Sequence, residues 1–69
     1  MKKRILILGS TGTIGINTLK VIEQFPDRFE IFGLTAYNNI DVLAAQVRAF
    51  RPKYVAVSAE KKEALQQAL

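Results

Sequence analysis

The chain has no cysteine, no histidine and no tryptophan, and only two prolines. Without cysteine there is neither a disulfide framework nor a thiolate nucleophile, and without cysteine or histidine the usual donor set of a structural zinc is missing. The lack of histidine also removes the side chain that most often moves protons near neutral pH. Small stand-alone domains commonly rely on such staples or on oligomerisation. With 69 residues, a domain would bury only about 60% of the surface its unfolded chain exposes. The expectation is a portion of something larger, in a reducing compartment.

Long hydrophobic runs are missing too. The start Met1-Lys2-Lys3-Arg4 ahead of Ile5 to Leu8 has the flavour of a signal peptide, but the apolar run stops at Gly9, short of an h-region of about 7–15 residues. Nothing approaches the ~20 apolar residues of a membrane span. A cytoplasmic protein without a membrane partner is expected. Carboxylates are scarce, six against ten lysines and arginines, for a net charge of +4. Such an excess points to nucleic acid when it is clustered. Here Lys2, Lys3 and Arg4 precede a strand, Arg48, Arg51 and Lys53 flank a helix end, and Lys61 and Lys62 fall on a solvent face. That scatter reads as an ordinary basic surface, with no nucleic-acid partner.

What is present is an alternation of two hydrophobic periods. Arg4 to Leu8 is a short apolar run of the kind found in a buried parallel strand. From Thr13 to Gln24 the pattern becomes helical, with Ile14, Thr18, Val21, Ile22 and Phe25 predicted to face the core and Asn17, Lys20, Glu23 and Gln24 the solvent. Pro26 and Asp27 end it. Glu30 to Ala36 predicts a second strand, interrupted by Gly33. Asn38 and Asn39 are N-cap types for a second helix whose Ile40, Leu43, Ala44, Val47 and Phe50 recur at helical spacing, stopped by Pro52. Lys53 to Val57 predicts a third strand and Ala59 to Leu69 a third helix capped by Ser58. The order is βαβαβα, an α/β fold with a Rossmann-like parallel sheet, right-handed crossovers and helices on its faces. In the usual 3-2-1 winding the first strand would be left at an edge, so residues 1–69 read as the first half of a dinucleotide-binding domain, incomplete in itself.

Three of the four glycines fall in one stretch, Gly9-Ser10-Thr11-Gly12-Thr13-Ile14-Gly15, between the first strand and the first helix. That placement is what the dinucleotide fingerprint requires. Gly9 turns the chain sharply, Gly12 lets a pyrophosphate approach the backbone, and Gly15 lets the helix pack closely on the sheet. Amides near Thr13 and Ile14, with the positive end of the helix dipole, would attract phosphate, and Ser10, Thr11 and Thr13 would add hydroxyl donors. A tight turn that uses glycine only for geometry is the plainer alternative, though a turn needs one glycine and not three. At the end of the second strand, Thr35-Ala36-Tyr37-Asn38-Asn39 holds no acid to accept from a cofactor's ribose hydroxyls or to repel a 2′-phosphate, so NADP is permitted. Asn38 and Asn39 are either neutral donors or simple caps. Tyr37 would stack on adenine or merely cover the helix end.

These residues resemble a known family. The string Gly9-Ser10-Thr11-Gly12-Thr13-Ile14-Gly15, then Asn17-Thr18-Leu19, Pro26, Leu34-Thr35-Ala36, Asn39 and Phe50-Arg51-Pro52-Lys53, is similar to the N-terminus of 1-deoxy-D-xylulose 5-phosphate reductoisomerases. The resemblance implies an NADPH-dependent enzyme of non-mevalonate isoprenoid precursor synthesis. Such an enzyme uses Mg²⁺ or Mn²⁺ to hold a phosphorylated ketose, and its protomers form a homodimer. It implies cofactor contacts at Thr11, Gly12, Thr13, Ile14 and Asn39. It also places the catalytic residues, metal ligands, substrate-phosphate site and lid beyond Leu69, so that the segment alone would be inactive. Two positions depart from the family's usual pattern: Tyr37 stands where glycine is common, and Asn38 where Lys or Arg would meet the extra phosphate. The alternatives left open are another NADP-dependent dehydrogenase or epimerase, or a non-catalytic nucleotide-sensing module.

Overall fold

The computed structural model describes residues 2–69. Three strands, β1 (Lys3–Leu8), β2 (Phe29–Thr35) and β3 (Tyr54–Ala56), alternate with helices α1 (Thr13–Glu23), α2 (Ile40–Phe50) and α3 (Lys62–Ala68). All pairings are parallel, in the spatial order β1-β2-β3, so β1 is an edge strand as the winding predicts.

The helices cover one face of this sheet and not both. Two right-handed crossovers that advance in the same direction, from β1 to β2 to β3, must deposit α1 and α2 on the same side. The paired residues Ile5 and Ile31, and Ile7 and Leu34, point into that side. There they meet Leu19 and Ile22 of α1, Leu43 and Ala44 of α2 and Leu65 of α3 in a single core. The opposite face is left open, and Leu6 (59% exposed), Leu8 (75%) and Tyr54 (57%) stand on it. Its polar edge is held by weak contacts. Arg4 Nε lies 3.6 Å from Glu30 Oε1 between two exposed side chains, a pair worth little. The Arg4 guanidinium also sits 5.2 Å from the Phe32 ring, whose edge-to-face partner is Tyr54 at 5.2 Å.

A bulge lets β2 present its core residues. Ile5 pairs with Ile31 but Leu6 pairs with Gly33, leaving Phe32 as an extra residue opposite β1. One inserted residue reverses the inward–outward alternation. Ile31 and Leu34, three apart in sequence, therefore both face the core.

Helix α1 is rotated from the orientation its apolar pattern suggests. The residues it buries are Gly15, Leu19 and Ile22, whereas Ile14 is 83% exposed, Val21 56% and Phe25 41%. Two stripes, Gly15-Leu19-Ile22 and Ile14-Thr18-Val21, are each apolar and lie about 100° apart around the helix. The glycine decides between them, because only a residue without a side chain can be laid against the preceding turn.

Helix α2 matches its prediction more closely. Asn39 Oδ1 accepts from the Val42 amide at 3.3 Å, an N-cap bond, and Leu43 and Ala44 are fully packed while Ile40, Val47 and Phe50 lie against the core. It ends at Arg51, held in the left-handed region at φ 49° with its amide bonded to Val47 O at 2.8 Å, directly before Pro52. The third helix is shorter than predicted. Ser58 precedes a 3₁₀ turn at Ala59–Lys61 without making a side-chain cap bond, and α3 starts only at Lys62. Its far end is tied to α2 by Arg48 Nη1, which donates to Ala68 O at 2.8 Å. No helix among the described residues is long and apolar enough to cross a membrane.

Candidate dinucleotide-binding site

The carboxyl ends of β1 and β2 lie side by side, with Leu8 opposite Thr35. This brings the glycine turn and the Thr35–Asn39 segment, 26 residues apart in sequence at Gly9 and Thr35, to one rim. The turn is bolted to its neighbour at two points: Gly9 N–H donates to Thr35 Oγ1 at 3.1 Å and Ser10 N–H to Thr35 O at 2.8 Å.

The three glycines have three different reasons. Gly9 takes φ +73°, a conformation that costs an L-residue about 1–2 kcal/mol. Gly15 is buried beneath the turn, where an added Cβ would meet the Ser10 backbone at 2.7 Å, well inside any real contact. Gly12 has neither constraint. Its φ of −78° suits any residue, and an added Cβ would make only an ordinary 3.5 Å contact with Gly9 O. Gly12 is the N-cap of α1, where glycine is favoured over alanine, and its missing side chain also leaves the space in front of the helix start open.

The donors around Gly12 are unoccupied. Gly12 N–H closes the turn onto Gly9 O at 3.1 Å and Ile16 N–H begins the helical ladder on Gly12 O at 2.9 Å. The amides of Thr11, Thr13 and Ile14 have no partner among the described residues. The first turn of α1 contains no acidic residue and no side-chain cap. An anion is what such a helix start accommodates. Two hollows meet at Gly9. One, of about 450 Å³, is lined by Leu8, Gly12, Thr13 and Ile14; the other, of about 320 Å³, by Thr35, Ala36, Tyr37 and Ser58.

The individual site residues fall into place unequally. Thr13, Ile14, Tyr37, Asn38 and Asn39 are exposed and Thr11 half-exposed. Ser10 departs from expectation. It is wholly buried, and its hydroxyl, predicted as a donor toward phosphate, donates instead to Gln46 Oε1 of α2 at 2.7 Å. The reason is the turn at Gly9, which directs the next residue inward. Ala36 is also buried and contributes only backbone, its amide bonded to Ala56 O at 3.1 Å. Asn39 spends its side-chain oxygen on the cap, and its NH₂ group has no partner among the described residues, so the capping and donor readings are compatible. Sequence reasoning missed Thr35 Oγ1 and Gln46. Gln46 had a visible signal, a lone amide three residues after Leu43 on the apolar stripe of α2.

Comparison with known proteins decides the family. The family model of 1-deoxy-D-xylulose 5-phosphate reductoisomerase matches residues 5–69. The chain belongs to that family. A reductoisomerase from Thermoanaerobacter sp. strain X514 is 58% identical over 60 residues, 87% of this chain and 16% of that protein. One from Nostoc punctiforme is 52% identical over 68 residues, 97% of this chain and 17% of that protein. Among solved structures, the Zymomonas mobilis reductoisomerase in complex with NADPH superposes with a TM-score of 0.93 at 31% identity, over 100% of this chain and 18% of that one. A reductoisomerase in complex with NADPH, fosmidomycin and magnesium gives 0.89 at 37% identity, over 94% of this chain and 16% of that one. The chain thus spans about a sixth of the length of the family members it matches. Membership favours this family over the other NADP-dependent dehydrogenases and epimerases left open by the sequence.

Proposed function

We propose that residues 1–69 are the N-terminal portion of the NADPH-binding domain of a reductoisomerase that converts 1-deoxy-D-xylulose 5-phosphate to 2-C-methyl-D-erythritol 4-phosphate. The observation that carries this reading is the family match over residues 5–69; its cofactor part is supported by Gly12, bare of a side chain among three amides without partners among the described residues at the start of α1. NADPH, when bound, supplies the hydride that reduces the aldehyde formed on rearrangement of the ketose skeleton. The chain's own part is binding and orientation. Thr11, Thr13 and Ile14 receive the pyrophosphate through backbone amides and the Thr11 and Thr13 hydroxyls, Gly12 gives it room to approach, and Gly9 and Gly15 shape the turn. Ala36, Tyr37, Asn38 and Asn39 border the adenosine end, where the NH₂ group of Asn39 and the side chain of Asn38 are donors for the 2′-phosphate.

NADPH is preferred over NADH, less steeply than in family members with a basic residue at the position of Asn38, because a neutral amide forgoes the charge-assisted bond. The described residues contain no cluster of three Asp, Glu, His or Cys able to hold a metal. The Mg²⁺ or Mn²⁺ of the reaction is placed, as the family resemblance implies, on residues outside this segment. The complete enzyme is a cytoplasmic homodimer that takes a small phosphorylated ketose.

The test is a chimera in which this chain replaces the segment it matches in the Thermoanaerobacter relative. With Mg²⁺ or Mn²⁺ and 1-deoxy-D-xylulose 5-phosphate it should oxidise NADPH at a rate within about ten-fold of the parent. A chimera that binds NADPH and oxidises none with this substrate would overturn the reading.

A further inference from the structure

The glycine turn is held from below by a buried side chain of α2. Gln46, on the second turn of α2, is 8% exposed and faces Ser10, which is 0% exposed. The two form a closed pair: Ser10 Oγ donates to Gln46 Oε1 at 2.7 Å, and Gln46 Nε2 donates to Ser10 O at 2.8 Å. Both functional atoms of the Gln46 amide are thus spent on one residue of the turn, 36 positions away in sequence. A leucine would fill the same place in the core without needing partners. A buried amide is tolerated only where its bonds are made, and among the described residues no buried side-chain polar atom lacks one.

The second of these bonds has a directional consequence. Ser10 C=O and Thr11 N–H belong to the same peptide unit, which is planar and trans, so the two groups point in opposite directions. By holding Ser10 O inward, Gln46 turns the Thr11 N–H outward, away from the core. The Thr11 amide has no partner among the described residues. Ser10 N–H, bonded to Thr35 O at 2.8 Å, fixes the preceding peptide unit from the other flank. We infer that Gln46 is a positioning residue for the cofactor: through Ser10 it aims the Thr11 amide at the pyrophosphate of NADPH. The inference rests on the NADPH reading given above.

If Gln46 lost its amide, the buried Ser10 carbonyl would lack a donor and the peptide unit would rotate to find one, carrying Thr11 N–H away from the phosphate. Helix α2 would keep its place through Leu43, Ala44 and Val47, and with it the Asn39 end of the site. The two ends of the cofactor should therefore respond differently.

In the chimera, two ligands separate these ends: 2′-AMP, which has no pyrophosphate, and 2′-phospho-ADP-ribose, which has one. For Gln46→Met, similar in length but without hydrogen bonds, the Kd of 2′-phospho-ADP-ribose should rise about ten-fold while that of 2′-AMP changes less than about two-fold. The KM for NADPH should rise with it. Ser10→Ala, which deletes the hydroxyl and leaves the carbonyl bond, should show the same split at about three-fold, and the double variant should be no worse than Gln46→Met, as expected for one coupled unit. Equal weakening of both ligands, or no weakening of either, overturns the inference. If Gln46→Met does not fold, the split in Ser10→Ala decides alone. Failure of the unsubstituted chimera to bind 2′-phospho-ADP-ribose would instead count against the NADPH reading itself.

Discussion

Gly15 lies directly on Ser10: an added Cβ at Gly15 would come within 2.7 Å of the Ser10 Cα. This contact both sets the rotation of α1 and brings the helix start beneath the glycine turn. Alanine is the better helix former by about 1 kcal/mol, so an exposed glycine in this helix would gain from the substitution. Here the clash is with backbone on both sides, and overpacking of that kind costs about 1–3 kcal/mol. Gly15→Ala in the chimera should lower the midpoint of urea unfolding and raise the KM for NADPH. Unchanged or increased stability would show that α1 is not seated by this contact.

Asn39 separates stability from affinity. Its side-chain oxygen caps α2 through Val42, and replacement of such a cap by alanine costs about 1 kcal/mol. Asn39→Ala should therefore lose stability and NADPH affinity together. Asn39→Asp keeps the capping oxygen but removes the NH₂ donor and places a negative charge beside the 2′-phosphate. It should leave the unfolding midpoint within experimental error of the unsubstituted chimera while raising the Kd for NADPH more than that for NADH. Equal effects on the two cofactors would mean that Asn39 is a cap and not a contact.

Asn38 is exposed, next to that cap. Asn38→Arg supplies a charge-assisted, potentially bidentate contact to the 2′-phosphate, roughly twice as strong as a neutral hydrogen bond. Fluorescence titration should show the NADPH-over-NADH preference increase by about ten-fold, an effect that weakens as ionic strength rises. A preference that does not move would place the 2′-phosphate away from Asn38.

The strand–helix alternation, the parallel order with β1 at an edge and the glycine turn were all legible in the sequence, because each follows from a local pattern: apolar runs, helical spacing, caps and glycine between them. What was not legible depended on contacts between distant segments. The face of α1 was misread because Ile14-Thr18-Val21 and Gly15-Leu19-Ile22 are both apolar, and only the seat of Gly15 on Ser10 chooses between them. The bulge at Phe32 is a register event between β1 and β2, and it hides in an unremarkable Ile-Phe-Gly-Leu. Coverage of one face of the sheet by α1 and α2 follows from crossover direction, which the element order contains, whereas α3 joins that face through its packing on α2. The inward turn of Ser10 needed its partner Gln46, 36 residues on. Hydroxyl residues in a glycine turn look alike in sequence; burial distinguishes Ser10 from Thr11 and Thr13.

The most direct test of the account is Gly12→Ala in the chimera, read for stability and NADPH affinity on the same preparation. The backbone at Gly12 is compatible with alanine, φ −78°, and the added methyl meets only Gly9 O at an ordinary 3.5 Å. Stability should change by less than about 1 kcal/mol, since the preference of the N-cap for glycine over alanine opposes the gain of about 0.4–1 kcal/mol from restricting the unfolded chain. NADPH affinity should fall by about ten-fold or more, because the methyl occupies the space the pyrophosphate needs. Full NADPH affinity in a stable Gly12→Ala protein would contradict the assignment of this turn as a phosphate cradle.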